Sequence, residues 1–269
     1  MQRAPTAFKT AEAATNDMPL LETIGLTKAF DGFIAVQNLN LKVSRGSIHA
    51  LIGPNGAGKT TSFNLITKFI LPSAGRILFR GVDITPLPPV IVARQGLARS
   101  FQISSVFPHL TALENVRIAL QRHRGESFDL WRSRRILDVL NDEALAILSR
   151  VGLAELSDHL ATELPYGRKR ALEIATTLAL RPEILLLDEP TAGMASGDVQ
   201  MISELIKGLG REYTILMVEH NLRMVSDICD WVTVLARGRV IAEGEYGIVA
   251  SNPTVQEAYL GGVDAGLKV

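Results

Sequence analysis

The 269-residue sequence predicts an α/β fold: a mostly parallel sheet covered by helices on both faces, with a helical subdomain inserted into it. Three observations carry this expectation. The run "EILLLDEP" is continuously apolar and closed by acids, the mark of a strand buried on both faces. Such runs alternate with helical ones, "YTILMVEH" following after a helix of about 14 residues. Between Gln102 and that first buried strand, roughly 75 residues read as helix, which looks like an insertion.

The first residues, "MQRAPTAFKTAEAATNDMP", are expected to form a flexible tail over 1–19. They lack the apolar segment of a secretory signal. Short β-like runs follow at "LLETIGL", "LNLKV" and "SIHALIG", broken by the polar turn "SRG". A helix is expected from Gly58 to Ile70, then strand-like alternation in "GRILFRGVDIT" and a surface turn at "PLPP". The helical stretch runs through "TALENVRIALQRH", "WRSRRILDVLNDEALAILSRVGL" and "RKRALEIATTLAL". After the two buried strands, "DWVTVLARGRVIAEG" reads as a strand and hairpin.

Hydrophobic residues make up 47% of the chain and charged residues 21%, an ordinary globular balance that excludes disorder for most of it. The formal net charge is zero, so no general attraction to nucleic acid or to an anionic membrane is expected. Any partner must be recognised locally. A single cysteine, Cys229, cannot form an internal disulfide and is expected to be a small apolar core residue. No apolar run approaches the roughly 18–20 residues that span a bilayer. These features predict a cytoplasmic protein.

The strongest local signal is "GPNGAGKT", which fits G-x-x-x-x-G-K-[ST] between an expected strand and an expected helix. Its residues, Gly53, Pro54, Asn55, Gly56, Ala57, Gly58, Lys59 and Thr60, together with Thr61, are candidate phosphate-binding residues. The glycines let backbone N–H groups curl toward phosphates, Lys59 reaches the outer phosphates, and the Thr60 hydroxyl can ligate Mg²⁺. The alternative is a structural glycine-rich turn. In "LLLDEP", Asp188 stands at a strand's carboxyl end, where it would hold Mg²⁺ through its water shell, and Glu189 is placed to polarise an attacking water. Alone, two such acids read as a helix cap. His220, directly after the next buried strand, could sense a γ-phosphate by hydrogen bond, whereas His49, His109, His123 and His159 read as structural.

A further segment, "ELPYGRKRALEIA", puts a glycine and the cations Arg168, Lys169 and Arg170 at the start of an amphipathic helix, which is a natural anion site. The alternative is a basic, solvated helix face. The order GPNGAGKT, Gln102, LPYGRKR, LLLDEP, MVEH resembles the ATP-binding cassette (ABC) ATPases, from about Leu20 to Gly262. The resemblance implies a P-loop NTPase core of RecA-like type, an antiparallel β subdomain, an α-helical subdomain at about 103–180, and a short C-terminal tail over 263–269. It implies ATP and Mg²⁺ as cofactors, Gln102 as a glutamine linking Mg²⁺ and water to the helical subdomain, and Phe30 as the ring stacked on adenine. It makes Pro165, Tyr166 and Gly167 the signature segment, which binds the nucleotide of a second cassette in a head-to-tail dimer. The commonest signature is LSGGQ, so Pro165 removes a hydroxyl, although Gly167 N–H and the helix dipole remain. In "TAGMASGD", Ala195 stands where the family usually has an acid or amide.

"LPYG", "AGM" and "SNPTVQEAYLGG" look like the ATP-binding subunits of branched-chain amino acid importers. Such a subunit docks peripherally on the inner face of the membrane against a permease, here through a groove from Gln102 to Leu113 in which Phe107, Pro108 and Leu110 are exposed candidates. Ordinary packing is the alternative for these three. An extracytoplasmic binding protein would be an indirect partner. The rivals are a lipid or lipopolysaccharide exporter cassette, a soluble ABC ATPase of ribosomes or DNA, and a nucleotide-sensing module with weak hydrolysis.

Overall fold

The computed structural model describes residues 18–100, 106–122 and 138–260. An antiparallel sheet forms first, from β1 (Leu21–Phe30), β2 (Phe33–Val43), β4 (Ala74–Phe79) and β5 (Val82–Asp83), in the order β2-β1-β4-β5. Its leading hairpin closes on Asp31 and Gly32, both at positive φ (42° and 91°), the two-residue Asp-Gly turn whose twist matches that of the flanking strands.

The second sheet holds β3 (Ile48–Ile52), β6 (Leu97–Ser100), β7 (Ile184–Asp188), β8 (Thr214–Val218), β9 (Trp231–Ala236) and β10 (Arg239–Gly244). Its order is β10-β9-β3-β8-β7-β6, parallel throughout except for β10, which returns beside β9 through the Arg237–Gly238 turn. Every residue of β3, β7 and β8 is buried, and alternate side chains go to opposite faces, as the period of a strand requires. Ala50, Leu185, Leu187 and Ile215 enter one core with Leu172, Ile174 and Ile206. Leu51, Leu186, Leu216 and Val218 enter another with Phe63, Leu65 and the antiparallel sheet's Leu41 and Phe79.

Helices α1 (Lys59–Ile66) and α2 (Pro89–Arg94) lie between β3 and β6. The expected turn at "PLPP" runs directly into α2, because Pro89 occupies its first position, where a missing N–H costs nothing. Between β6 and β7 the described chain is mostly helical: α3 (Ala112–Gln121), α4 (Asn141–Arg150), 3₁₀ turns at 138–140 and Ala154–Leu156, and α5 (Tyr166–Leu178), with α3 packed on both α4 and α5. A capping box starts α3, in which the Thr111 hydroxyl accepts from Glu114 N–H and the Glu114 carboxylate accepts from Thr111 N–H. The rest is α6 (Ser196–Leu209), α7 (Leu222–Ile228), α8 (Tyr246–Ala250) and α9 (Pro253–Leu260). Cys229 is half-buried against the core, and burial pushes its thiol above the usual range. No helix among the described residues is long and apolar enough to cross a membrane.

His49 is buried in β3, its Nε2 2.8 Å from the Thr233 hydroxyl, and burial lowers its pKa from 6.5 to about 4. The unfolded chain therefore takes up a proton near pH 6.5 that the folded chain refuses. The His49 contribution is complete above pH 6.5 and declines as pH falls toward 4, with a slope approaching about 1.4 kcal/mol per pH unit. Urea unfolding between pH 7.5 and 4.5 checks this: the stability advantage over His49→Gln should shrink steadily on acidification.

Candidate nucleotide site

The phosphate-loop residues connect β3 to α1. Gly53 (φ 150°) lies against β9, and a Cβ there would sit 2.1 Å from the Leu235 carbonyl oxygen. Gly58 (φ 101°) caps α1 without a side chain, and a Cβ there would be 2.6 Å from the Ala35 carbonyl oxygen. The first helical bond of α1 runs from Ser62 N–H to Gly58 C=O at 2.9 Å. The amides of Lys59, Thr60 and Thr61 precede it, and the first turn contains no acid. Lys59, 5% exposed, folds over the loop and donates to the carbonyls of Gly53 (2.7 Å) and Pro54 (3.0 Å). Burial lowers its ammonium pKa, while Glu189 and Asp188 act in the opposite direction. Asn55, Gly56 and Thr60 are exposed, whereas Ala57 is buried. Uncapped amides, an ammonium and a glycine-rich loop form a donor set that fits a polyphosphate.

Beside this loop, β7 ends at Asp188, which is buried and held by Arg99 of β6 at 2.5 Å. Arg99 also donates to Asn64 (2.7 Å) and Thr67 (3.3 Å) of the α1 segment. Glu189 follows with φ 46°, a left-handed conformation that costs a residue bearing a side chain roughly 1–2 kcal/mol. Its Oε1 lies 2.9 Å from His220 Nε2. An ionised carboxylate only accepts, so this nitrogen carries the hydrogen.

The candidate signature segment opens α5. Pro165 is its N-cap and makes no side-chain cap bond. Tyr166 is 58% exposed, and its hydroxyl donates to the Ala192 carbonyl at 3.1 Å. Gly167 is buried so closely that a Cβ would lie 2.6 Å from Asp198 Oδ1. The three consecutive cations do not form one anion-facing set. Arg168 donates to the Gly152 carbonyl (3.0 Å), and Arg170 is buried, turned toward Asp188 and Glu189. Phe30 is 43% exposed with Lys28 Nζ 4.9 Å from its ring centre, so it is not a core phenylalanine. Gln102 lies outside the described residues. Phe107 (51% exposed) and Pro108 are exposed while Leu110 is half-buried; Asn115 braces their turn, accepting from Phe107 N–H (2.6 Å) and donating to Phe107 C=O (3.1 Å).

Strand order brings Gly53–Thr60, Asp188, Glu189 and His220 to one edge of the parallel sheet, since β3, β8 and β7 are successive neighbours. Residues 36–192 match the ABC transporter family. The chain belongs to this family. Residues 239–265 of the cassette also match the branched-chain amino acid ATP-binding cassette transporter family. BraF of Pseudomonas aeruginosa and LivG of Escherichia coli K12, both high-affinity branched-chain amino acid transport ATP-binding proteins, are each 40% identical over 250 residues, which cover 90% of this chain and 98% of theirs. Among solved structures, the ADP conformation of MJ1267, an ATP-binding cassette of an ABC transporter, aligns with TM-score 0.80 and 33% identity, covering 91% of this chain and 99% of that one. A dimeric cassette, MJ0796, aligns with TM-score 0.70 and 25% identity over 84% of this chain and 98% of its own. The cassette is thus an ATPase module of a transporter.

Two residues of the site, Arg99 and Glu219, carried no role in the sequence, and Arg170 was read there as an anion-facing cation. Arg99 stands two residues before Phe101 and Glu219 directly before His220, so nearness to the motifs was the one signal available.

Gly53→Ala is expected to destabilise the cassette by about 1–3 kcal/mol through its contact with the Leu235 carbonyl. Gly208→Ala, at an exposed position of α6 with nothing within 4 Å of the new Cβ, should stabilise by up to about 1 kcal/mol. Urea denaturation of the two variants measures the contrast, and equal shifts would contradict the close packing of the loop.

Proposed function

We propose that this cassette hydrolyses ATP to drive uptake of branched-chain amino acids through a membrane permease, working as one of a head-to-tail pair on the inner membrane face. The observation that carries the catalytic part is the Glu189–His220 contact of 2.9 Å at the same sheet edge as the phosphate loop. The match of residues 239–265 and the relatives BraF and LivG support the substrate class.

The N–H groups of Gly53–Thr61 and the Lys59 ammonium bind the phosphates of ATP, and Phe30 offers a flat apolar surface for adenine. Thr60 and Asp188 offer hard oxygens that would hold Mg²⁺, with Gln102 as the third ligand that the family resemblance implies, and the ion would supply charge neutralisation on the phosphate oxygens. Glu189 accepts a proton from the attacking water, and His220 orients that carboxylate and meets the developing charge on the terminal phosphate. Pro165, Tyr166 and Gly167 face the nucleotide of a second cassette, the same chain or a paralogue. The exposed Phe107 and Pro108 mark the side where a permease docks, and the extracytoplasmic binding protein acts through that permease.

Glu189→Gln should lower ATP turnover about 10²–10⁴-fold, the usual contribution of a positioned base. The same variant should form a dimer in light scattering only when ATP and Mg²⁺ are present. Wild-type turnover in this variant would remove Glu189 from the mechanism, and a persistent monomer would require a different cassette as partner.

A further inference from the structure

The left-handed backbone at Glu189 persists in a loop gripped from both sides by buried charged side chains. Strained conformations of this kind hold only where their surroundings over-determine them. On one side Arg170, 8% exposed, donates from Nη2 to the carbonyls of Asp188 (2.7 Å) and Glu189 (3.2 Å) and from Nε to that of Pro190 (3.3 Å). Its Nη1 donates to Glu173 at 2.7 Å, so its charge is matched within α5. On the other side Glu219, 2% exposed, accepts from Thr191 N–H (3.0 Å) and the Thr191 hydroxyl (2.5 Å) through Oε1. Through Oε2 it accepts from His220 N–H (2.7 Å) and Asn221 N–H (2.9 Å).

We propose that Arg170 and Glu219 are positioning residues, a two-sided clamp that holds Glu189 in its left-handed conformation and sets its carboxylate against His220. This rests on the reading of Glu189 as the base. The residue types follow from the task. A planar guanidinium can reach three successive carbonyls while keeping a fourth bond to Glu173, which a lysine ammonium cannot do in one place. An ionised carboxylate presents acceptors only, matching four donors; a glutamine would turn an NH₂ toward two of them. The clamp also has a direction. Arg170 lies one helical turn inside α5 from Pro165–Gly167, so the helix that meets one nucleotide holds the carboxylate that attacks the other.

The test uses the purified full chain, with ATPase rates measured against Mg-ATP concentration and thermal unfolding recorded in parallel. Arg170→Lys keeps a cation beside Glu173 but loses the fork, and Glu219→Gln keeps size but loses two acceptors. Each should lower kcat by about tenfold or more, as small misplacements of reacting groups do, with KM for ATP within about twofold of wild type. In a Glu189→Gln background neither should lower the residual rate further, a non-additivity that a merely structural residue would not show. If Arg170→Lys does not fold, the isosteric Glu219→Gln carries the test. Wild-type kcat in the clamp variants, with Glu189→Gln inactive, overturns the clamp alone, as does a fall in kcat that comes only with lost ATP binding and a lowered Tm. Full turnover in Glu189→Gln overturns the reading of Glu189 and the clamp with it.

Discussion

Burial of β3, β7 and β8 on both faces is the constraint from which the site follows. Inside the sheet every backbone N–H and C=O must pair with a neighbouring strand, since no water reaches it. Irregular backbone is therefore released only at strand ends. Parallel strands release corresponding loops at the same edge, which is why ligands of such sheets collect there. With β3, β8, β7 and β6 side by side, the phosphate loop, His220, and Asp188 with Glu189 become neighbours although more than a hundred residues separate the first from the last. A sheet in sequence order would scatter them.

A site built at that edge must hold charge in poorly hydrated surroundings, and the structure does so by pairing. Asp188 is met by Arg99, Arg170 by Glu173, and Glu219 by four donors, while Lys59 leans on carbonyls of its own loop. Leaving such a charge without its partner is far more damaging than the net worth of the pair. Arg99 shows how pairing also joins elements. It lies on β6, bonds to β7 and to α1, and its guanidinium stands 5.8 Å from the Phe63 ring and 5.5 Å from the Phe69 ring. The strand leading toward Gln102 is thereby tied to both the acid and the helix of the phosphate loop.

What the sequence made legible was whatever depends on local spacing or on continuous burial. "EILLL" and "TILMV" read as buried strands because neither face can be polar, and the candidate phosphate loop stood out because eight consecutive residues build it between a strand and a helix. The Asp31–Gly32 hairpin, equally local, was not among the elements read from the sequence; it extends β1 beyond "LLETIGL" to Phe30, which sets that ring at the tip of the strand. Arg170 was misread as part of a cationic face for a geometric reason. Residues i, i+1 and i+2 of a helix are spread by 100° each, so three consecutive cations cannot share one face, and here one of them points inward. Glu219 left no trace beyond its place before His220, because its partners are almost all backbone amides.

The altered signature segment becomes intelligible on the same electrostatic terms. Pro165 contributes no hydroxyl, yet as an N-cap it leaves the first amides of α5 free to donate. Tyr166 is fixed against the Ala192 carbonyl, so the segment is tied to the loop that follows Glu189. Asp198, in the first turn of α6, suits its own helix dipole, but its carboxylate reaches the position a Gly167 side chain would take. A negative charge this close offsets part of the positive end of α5. On the proposed reading, the partner's phosphate is then held by directed N–H bonds more than by net charge. Such bonds depend on angle as well as distance and weaken steeply when misaligned. A small rotation of α5 would therefore release the partner's phosphate, and through Arg170 the same rotation would pull on the backbone of Glu189.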